Sequence, residues 1–295
     1  MTLAGTSEKP ILLLGAGGLL GGAFAALLSS RPLATAGRGR LIGTCDDDIG
    51  RLLDESAPAL VINCAADVDA EGAERDDTVA IAANATLPGQ LARACAARGT
   101  GLIQFSSTGC YGDWQDAPYR ESDPLRPTTR HHRSKALGEE AVRAAGPAHL
   151  IVRTGWLYGG EAGRPRNFVW RRIEEARGTD VLVADGWQRG CPTLVDDVAR
   201  QVLLAWDAGL RGTANVVAQG AATRADYVAA IVAAAGLPCR VEAGPAFTRL
   251  APVSSNETAV NAALAAAGLD TMPGWEDAVR GYVANLTPSH PGPTP

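Results

Sequence analysis

The segment Gly15-Ala-Gly-Gly-Leu-Leu-Gly21 directly follows the apolar run Pro10-Ile-Leu-Leu-Leu14. A buried strand that ends in a glycine turn and opens a helix is the unit that cradles a pyrophosphate. The glycines permit the tight turn and close approach of the anion, and the helix start offers free N–H groups and the positive end of its dipole. A glycine-rich stretch alone is weak evidence. The strand–turn–helix context is what makes it specific.

The chain then repeats the same alternation. Leu60–Cys64, Gly101–Ser106 and Leu150–Thr154 read as buried strands, and Ala23–Ser30, Thr78–Arg98 and His131–Ala145 as helices. Strands alternating with helices predict a doubly wound, Rossmann-type α/β fold, a parallel sheet with helices on both faces. Beyond Thr154 the pattern loosens. Trp156, Trp170 and Trp187 cluster here, and Gly159, Gly160 and Gly163 mark a loop. Helices are expected over Phe168–Arg177 and Val195–Ala208, a last strand over Thr213–Val217, and a helix capped by Thr223 running through Ala235. The expected division is a dinucleotide-binding domain over 8–155 with about 195–217. A smaller, discontinuous substrate-binding domain covers about 156–194 with 218–286, and 287–295 is a proline-rich disordered tail.

Composition narrows the functions. The chain has 295 residues, 46% hydrophobic, with a net charge of −5, which argues against a nucleic-acid surface. No apolar run approaches the ~20 residues of a membrane span, and residues 1–10 lack the basic flank and cleavage site of a signal peptide. The six cysteines show no metal-ligand spacing and read as small hydrophobes, so no metal and a reducing, cytoplasmic setting are expected. Of the 27 basic residues only Lys9 and Lys135 are lysines, which marks Lys135 as a place where arginine does not serve.

An NAD site would carry a carboxylate about 20 residues after the glycine turn. The sequence there is Ala36-Gly-Arg-Gly-Arg40, and Arg38 suits a 2′-phosphate, so NADP(H) is favoured over NAD(H). Asp46 is expected near the adenine edge.

Further segments carry a likeness. They are Asn63-Cys-Ala-Ala66, Ser106-Ser-Thr-Gly-Cys-Tyr-Gly112, Pro127 followed by His131-His-Arg-Ser-Lys135, Arg153-Thr-Gly-Trp-Leu-Tyr158, Asn167-Phe168, and Cys191-Pro-Thr193 with Val195-Asp-Asp197. Together, from Ile11 to Leu286, they resemble the extended short-chain dehydrogenase/reductases, and within them the dTDP-4-dehydrorhamnose reductase branch. The resemblance implies an NADPH-dependent reductase of a keto group on a nucleotide-linked deoxysugar. It implies that Ser107 polarises the carbonyl and that Lys135 orients the nicotinamide ribose. Gly15, Gly17, Gly18, Leu19, Leu20, Gly21, Ala65, Ala66 and Asn84 would line the cofactor. Thr108, Trp156, Tyr158, Asn167 and Arg189 would meet the substrate. Whether the chain forms a homodimer is left open.

One residue departs from the likeness. The family's proton donor is a tyrosine four residues before the lysine, and here that residue is His131. Three readings stay open. His131 is the acid or base, directly or through water; the protein is a catalytically degenerate NADP(H)- or sugar-nucleotide-binding subunit; or Tyr111, Tyr158, Cys110 or His132 donates the proton instead, although His132 reads first as a solvated helix residue. A dehydratase is disfavoured because Thr108 and Gly109 replace that family's Asp-Glu pair. An epimerase stays as an alternative.

Overall fold

The computed structural model describes residues 9–37, 41–164 and 167–286. The chain opens with β1 (Ile11–Leu14), α1 (Leu19–Leu27), β2 (Leu33–Ala36), α2 (Asp46–Ser56), β3 (Leu60–Asn63) and α3 (Ala70–Arg75). α4 (Thr78–Ile81) passes through a π-helical turn (Ala82–Thr86) into α5 (Leu87–Arg98). β4 (Gly101–Ser107), a 3-10 turn (Thr108–Tyr111), α6 (Arg130–Ala144) and β5 (His149–Thr154) follow. The second half holds β6 (Leu157–Tyr158), α7 (Phe168–Arg177), β7 (Val181–Asp185), β8 (Arg189–Gly190), β9 (Thr193–Leu194), α8 (Val195–Asp207) and β10 (Gly212–Asn215). It ends with β11 (Ala222–Thr223), α9 (Arg224–Ala234), β12 (Arg240–Gly244), α10 (Ala262–Ala266) and α11 (Trp275–Leu286).

Six strands form one parallel sheet in the order β10-β5-β4-β3-β1-β2. Its central strands are buried on both faces, which is why β1 and β3 read as unbroken apolar runs. Successive side chains still divide between the faces. Ile11 and Leu13 join the core under α1 and α8, whereas Leu12 and Leu14 join the core under α2 and α5. Each such fully buried leucine contributes about 2 kcal/mol.

Some boundaries differ from the sequence reading. α1 starts at Leu19, four residues before the expected Ala23, because Gly18 serves as its N-cap and the glycines at 21 and 22 are carried inside it. The last strand ends at Asn215 rather than Val217. β2 was not legible because Leu-Ala-Thr-Ala is a short, half-buried edge strand. Thr223 caps α9 in a reciprocal capping box with Asp226.

A second core gathers α7, α9 and α11 around Tyr158, Tyr227, Trp275 and Tyr282. It is flanked by the parallel pair β7–β12 and the short pairs β8–β11 and β6–β9. The stretch assigned wholly to the smaller domain crosses back once: Leu264 and Met272 sit in the core of the large sheet. The tail from 287 lies outside the described residues.

One buried network ties these parts together. Arg153 of β5 donates from Nε and Nη2 to both carboxylate oxygens of Glu139 on α6, at 2.9 and 2.7 Å. Its Nη1 donates to the Tyr111 hydroxyl at 2.9 Å, and that hydroxyl donates to Asn215 of β10 at 2.7 Å. Asn215 in turn donates to the carbonyls of Tyr119 and Val260. Removing one partner of a buried pair strands the other charge. Glu139→Ala is expected to lower the unfolding free energy by about 3–5 kcal/mol in urea titration. A loss below about 1 kcal/mol would mean that the pair behaves as a surface salt bridge.

Candidate active site

The glycine turn is shaped by close backbone approach. Gly15 has φ +75°, and a Cβ there would lie 2.7–2.8 Å from the Cys64 and Ala65 backbone. A Cβ at Gly21 would lie 2.1 Å from the Gly15 carbonyl oxygen, so the helix start and the turn touch. A Cβ at Gly17 would meet nothing within 4 Å, which leaves open space in front of the first turn of α1. No side chain caps that helix. A concave backbone with uncapped N–H groups fits the pyrophosphate of a dinucleotide. The Ala65-Ala66 segment leaves the neighbouring strand end, β3. Arg38 lies outside the described residues.

Two residues expected on the cofactor side have partners within the protein. Asp46 heads α2 and forms an exposed ion pair with Arg93 of α5, Nε and Nη2 donating at 2.9 and 3.0 Å. Asn84, buried in the π-helical turn, accepts from Asp67 N–H and donates to the Asp67 carbonyl and the Ser134 hydroxyl. Its amide is spent on fixing the Ala65–Asp67 segment against α6.

α6 packs on β4 and on the turn that follows it. Thr129 caps it, accepting from His132 N–H at 3.0 Å. Ser107 ends β4, half-buried, and its hydroxyl accepts from Gly109 N–H at 3.1 Å, which leaves the hydroxyl hydrogen to donate outward. His131 and Lys135 are one helical turn apart and both buried, at 9% and 8% exposure. Burial, with His132 and Lys135 adding repulsion, pushes His131 down to about 3, so the imidazole is neutral at ordinary pH. Its Nδ1 is buried with no partner.

His132 is not the solvated residue that the sequence suggests. It is 8% exposed, and its ring lies against Gly109, where a Cβ would come within 2.1 Å of Cε1. The two imidazoles meet edge to face at 5.1 Å between centroids. Burial, with the charges of Lys135 and Arg249, pushes His132 down to about 4. The remaining alternative donors are walled off. Tyr111 and Cys110 are fully buried, and Tyr158 is 1% exposed in the second core.

The expected substrate residues separate into two groups. Thr108 is 1% exposed and tucked against Gly155, and Tyr158 packs between Tyr227 and Tyr282. Asn167 caps α7 and donates to the Tyr282 hydroxyl at 2.7 Å. All three are buried, and the Tyr158 hydroxyl has no hydrogen-bond partner. Trp156 and Arg189 stand nearer the surface. Trp156 has φ +48°, its indole N–H donates to Glu257 at 2.8 Å, and the Arg224 guanidinium lies 3.4 Å from its ring centroid. Arg189 lies 3.5 Å from Asp116.

A cleft of about 460 Å³ in the second half was not foreseen from the sequence. Arg172, Arg224 and Arg249 line it together with Phe168, Trp187 and Phe247. Arg172 Nε is buried without a partner, and burial lowers both Arg172 and Arg224. Guanidiniums beside aromatic walls suit an anionic, ring-bearing ligand. These arginines are scattered through an arginine-rich sequence, and only the Asn167-Phe168 motif pointed to the region.

Residues 9–287 match the family described as RmlD substrate binding domain. The chain belongs to that family. A relative from Mycobacterium tuberculosis named dTDP-4-dehydrorhamnose reductase is 36% identical over 292 residues, covering 94% of this chain and 93% of its own. The crystal structure of a dTDP-4-dehydrorhamnose reductase from Clostridium acetobutylicum superimposes with a TM-score of 0.89 at 28% identity, covering 95% of this chain and all of that one. The fold is also that of a Bacillus anthracis dTDP-4-dehydrorhamnose reductase solved with NADP, with a TM-score of 0.88 at 23% identity, covering 95% and 100%.

Two outcomes follow from the paired imidazoles. Gly109→Ala is expected to destabilise the protein by about 1–3 kcal/mol through the overpacked ring, and Gly109→Ala with His132→Ala to cost less than the sum, as read in a double-mutant cycle. Both histidines are lowered on folding, so their neutral burial contributes fully above about pH 6.5 and is lost as pH falls toward 4. Chemical denaturation at stepped pH is expected to show that loss, and a His131→Asn, His132→Asn double variant to reduce it.

Proposed function

We propose that the chain is an NADPH-dependent reductase of a keto group on a nucleotide-linked deoxysugar, of the dTDP-4-dehydrorhamnose reductase kind. The observation that carries this reading is the open glycine cradle after β1, with Ser107 ending β4 and Lys135 on the helix packed against β4, at the side of the sheet where a doubly wound fold binds its ligands. The names of the relatives point the same way.

In this reading Gly15, Gly17, Gly18, Leu19, Leu20 and Gly21 hold the pyrophosphate, Arg38 meets the 2′-phosphate, and Ala65 and Ala66 line the cofactor. The bound cofactor supplies hydride. The Ser107 hydroxyl and the neutral His131 N–H donate to the substrate oxygen, and the charge of Lys135 lies beneath them. Trp156 and Arg189 border the sugar. The arginine-lined cleft beside Phe168 takes the nucleotide diphosphate. A catalytically degenerate binding subunit is the second reading, favoured by the replacement of tyrosine with a histidine that does not ionise near neutrality.

The test is NADPH consumption by the purified protein against a panel of nucleotide-linked 4-keto-6-deoxysugars. Turnover is expected in the native protein, with Ser107→Ala lowering kcat about 10²–10³-fold. NADPH binding without turnover in the native protein, and turnover in His131→Tyr alone, would overturn the reductase reading in favour of the binding subunit.

A further inference from the structure

We propose that Lys135 is the acid of the reaction: its ammonium, rather than an imidazolium on His131, gives the proton that the substrate oxygen takes up. This rests on the reductase reading above.

Both histidines at the mouth of α6 are buried, each with an unpartnered Nδ1, and no carboxylate hydrogen-bonds to either ring among the described residues. A neutral imidazole can hold a carbonyl through its N–H, but it gives that proton up only at a strongly basic oxygen. The site therefore needs a stronger acid within reach of His131. Lys135 lies one turn further along the same helix face.

The surroundings of Lys135 suit that role. It is 8% exposed, and among the described residues no hydrogen-bond acceptor or ion-pair partner holds its ammonium. The groups facing it leave its charge uncompensated. Cys64 at the end of β3 and Cys110 in the turn after β4 are thiols that burial keeps protonated. Glu139, one turn along α6, is taken up by Arg153 and Arg143. Asp67 acts only from a distance, and His131 and His132 are neutral. Burial outweighs these contributions and lowers Lys135 to about 8, where the ammonium is both present and acidic near neutrality. An arginine could hold a cofactor ribose as well but could not release a proton, which accounts for a lysine in a chain that otherwise has only Lys9.

The step balances without a further reagent. Hydride from NADPH bonds to the carbonyl carbon, and the C=O π pair moves to oxygen. That oxygen, held by Ser107 and His131, takes a proton from Lys135 Nζ through a bridging water. The products are the alcohol, NADP⁺ and a neutral amine, which regains its proton from solvent.

With two lysines in the chain, protein labelled with ¹⁵N at lysine Nζ gives two signals, and Lys9→Arg identifies that of Lys135. In the cofactor-free protein the Lys135 signal is expected to titrate near pH 8. The single-turnover reduction rate should be flat below that pH and fall about tenfold per unit above it. In Lys135→Arg the rate is expected to fall at least about 100-fold, with the break abolished and NADPH still bound. A Lys135 signal that titrates near the reference value of about 10.4, or a break that persists in Lys135→Arg, would overturn the proposal while the reductase reading stands. Absence of turnover with every keto sugar would sink both, and that outcome is separated from the others by the native protein's own assay.

Discussion

The buried pair between Arg153 and Glu139 is the interaction on which the rest of the structure leans. It joins the strand that leads into the second half of the molecule to the helix that holds His131 and Lys135, and through Tyr111 and Asn215 it reaches the last strand of the sheet. A bidentate guanidinium–carboxylate contact fixes direction as well as distance. Both carboxylate oxygens of Glu139 are therefore engaged by Arg153, one turn along the helix from Lys135. The placement of α6 and of the sheet edge are two results of the same ion pair.

The second half of the molecule is organised differently. Its core is aromatic, built from Tyr158, Tyr227, Tyr282, Phe168 and Trp275 in stacked, tilted and edge contacts at 5–7 Å. Trp156 stands between β5 and β6: its backbone takes a left-handed conformation rare for a bulky residue, its indole is held by Arg224 and Glu257, and Gly190 lies against its ring. Segment 245–256 then returns to the large domain, where Glu71 accepts from Arg249 and from the Leu250 and Ala251 amides, and Asp113 accepts from Ser255. These contacts close the ring of elements around the cleft.

Legibility in the sequence followed the range of the forces involved. The glycine turn, the buried strands and the His131–Lys135 spacing are set by neighbours within a few residues, and they could be read directly. The partners of Asp46 and Asn84 could not, because Arg93 and Ser134 lie about fifty residues away. His132 looked solvated because nothing local announces that Gly109 makes room for it. Arg172 and Arg224 were indistinguishable from the many arginines of this chain until folding buried one nitrogen and stacked the other group on tryptophan. Tyr158 and Asn167 were marked by their motif, but their contacts with Tyr227 and Tyr282 in the second core were not.

The π-helical turn at Ala82–Thr86 has a consequence for how this chain can vary. It holds one residue more than an α-helical path would, and each helical residue advances the direction of its side chain by about 100°. Removing one residue would let α4 and α5 merge into an ordinary helix with no loss of backbone hydrogen bonds, yet it would swing Asn84 away from Asp67 and Ser134. The segment is thus constrained in length as well as in composition. Insertions and deletions are barred here even though the helix itself would tolerate them.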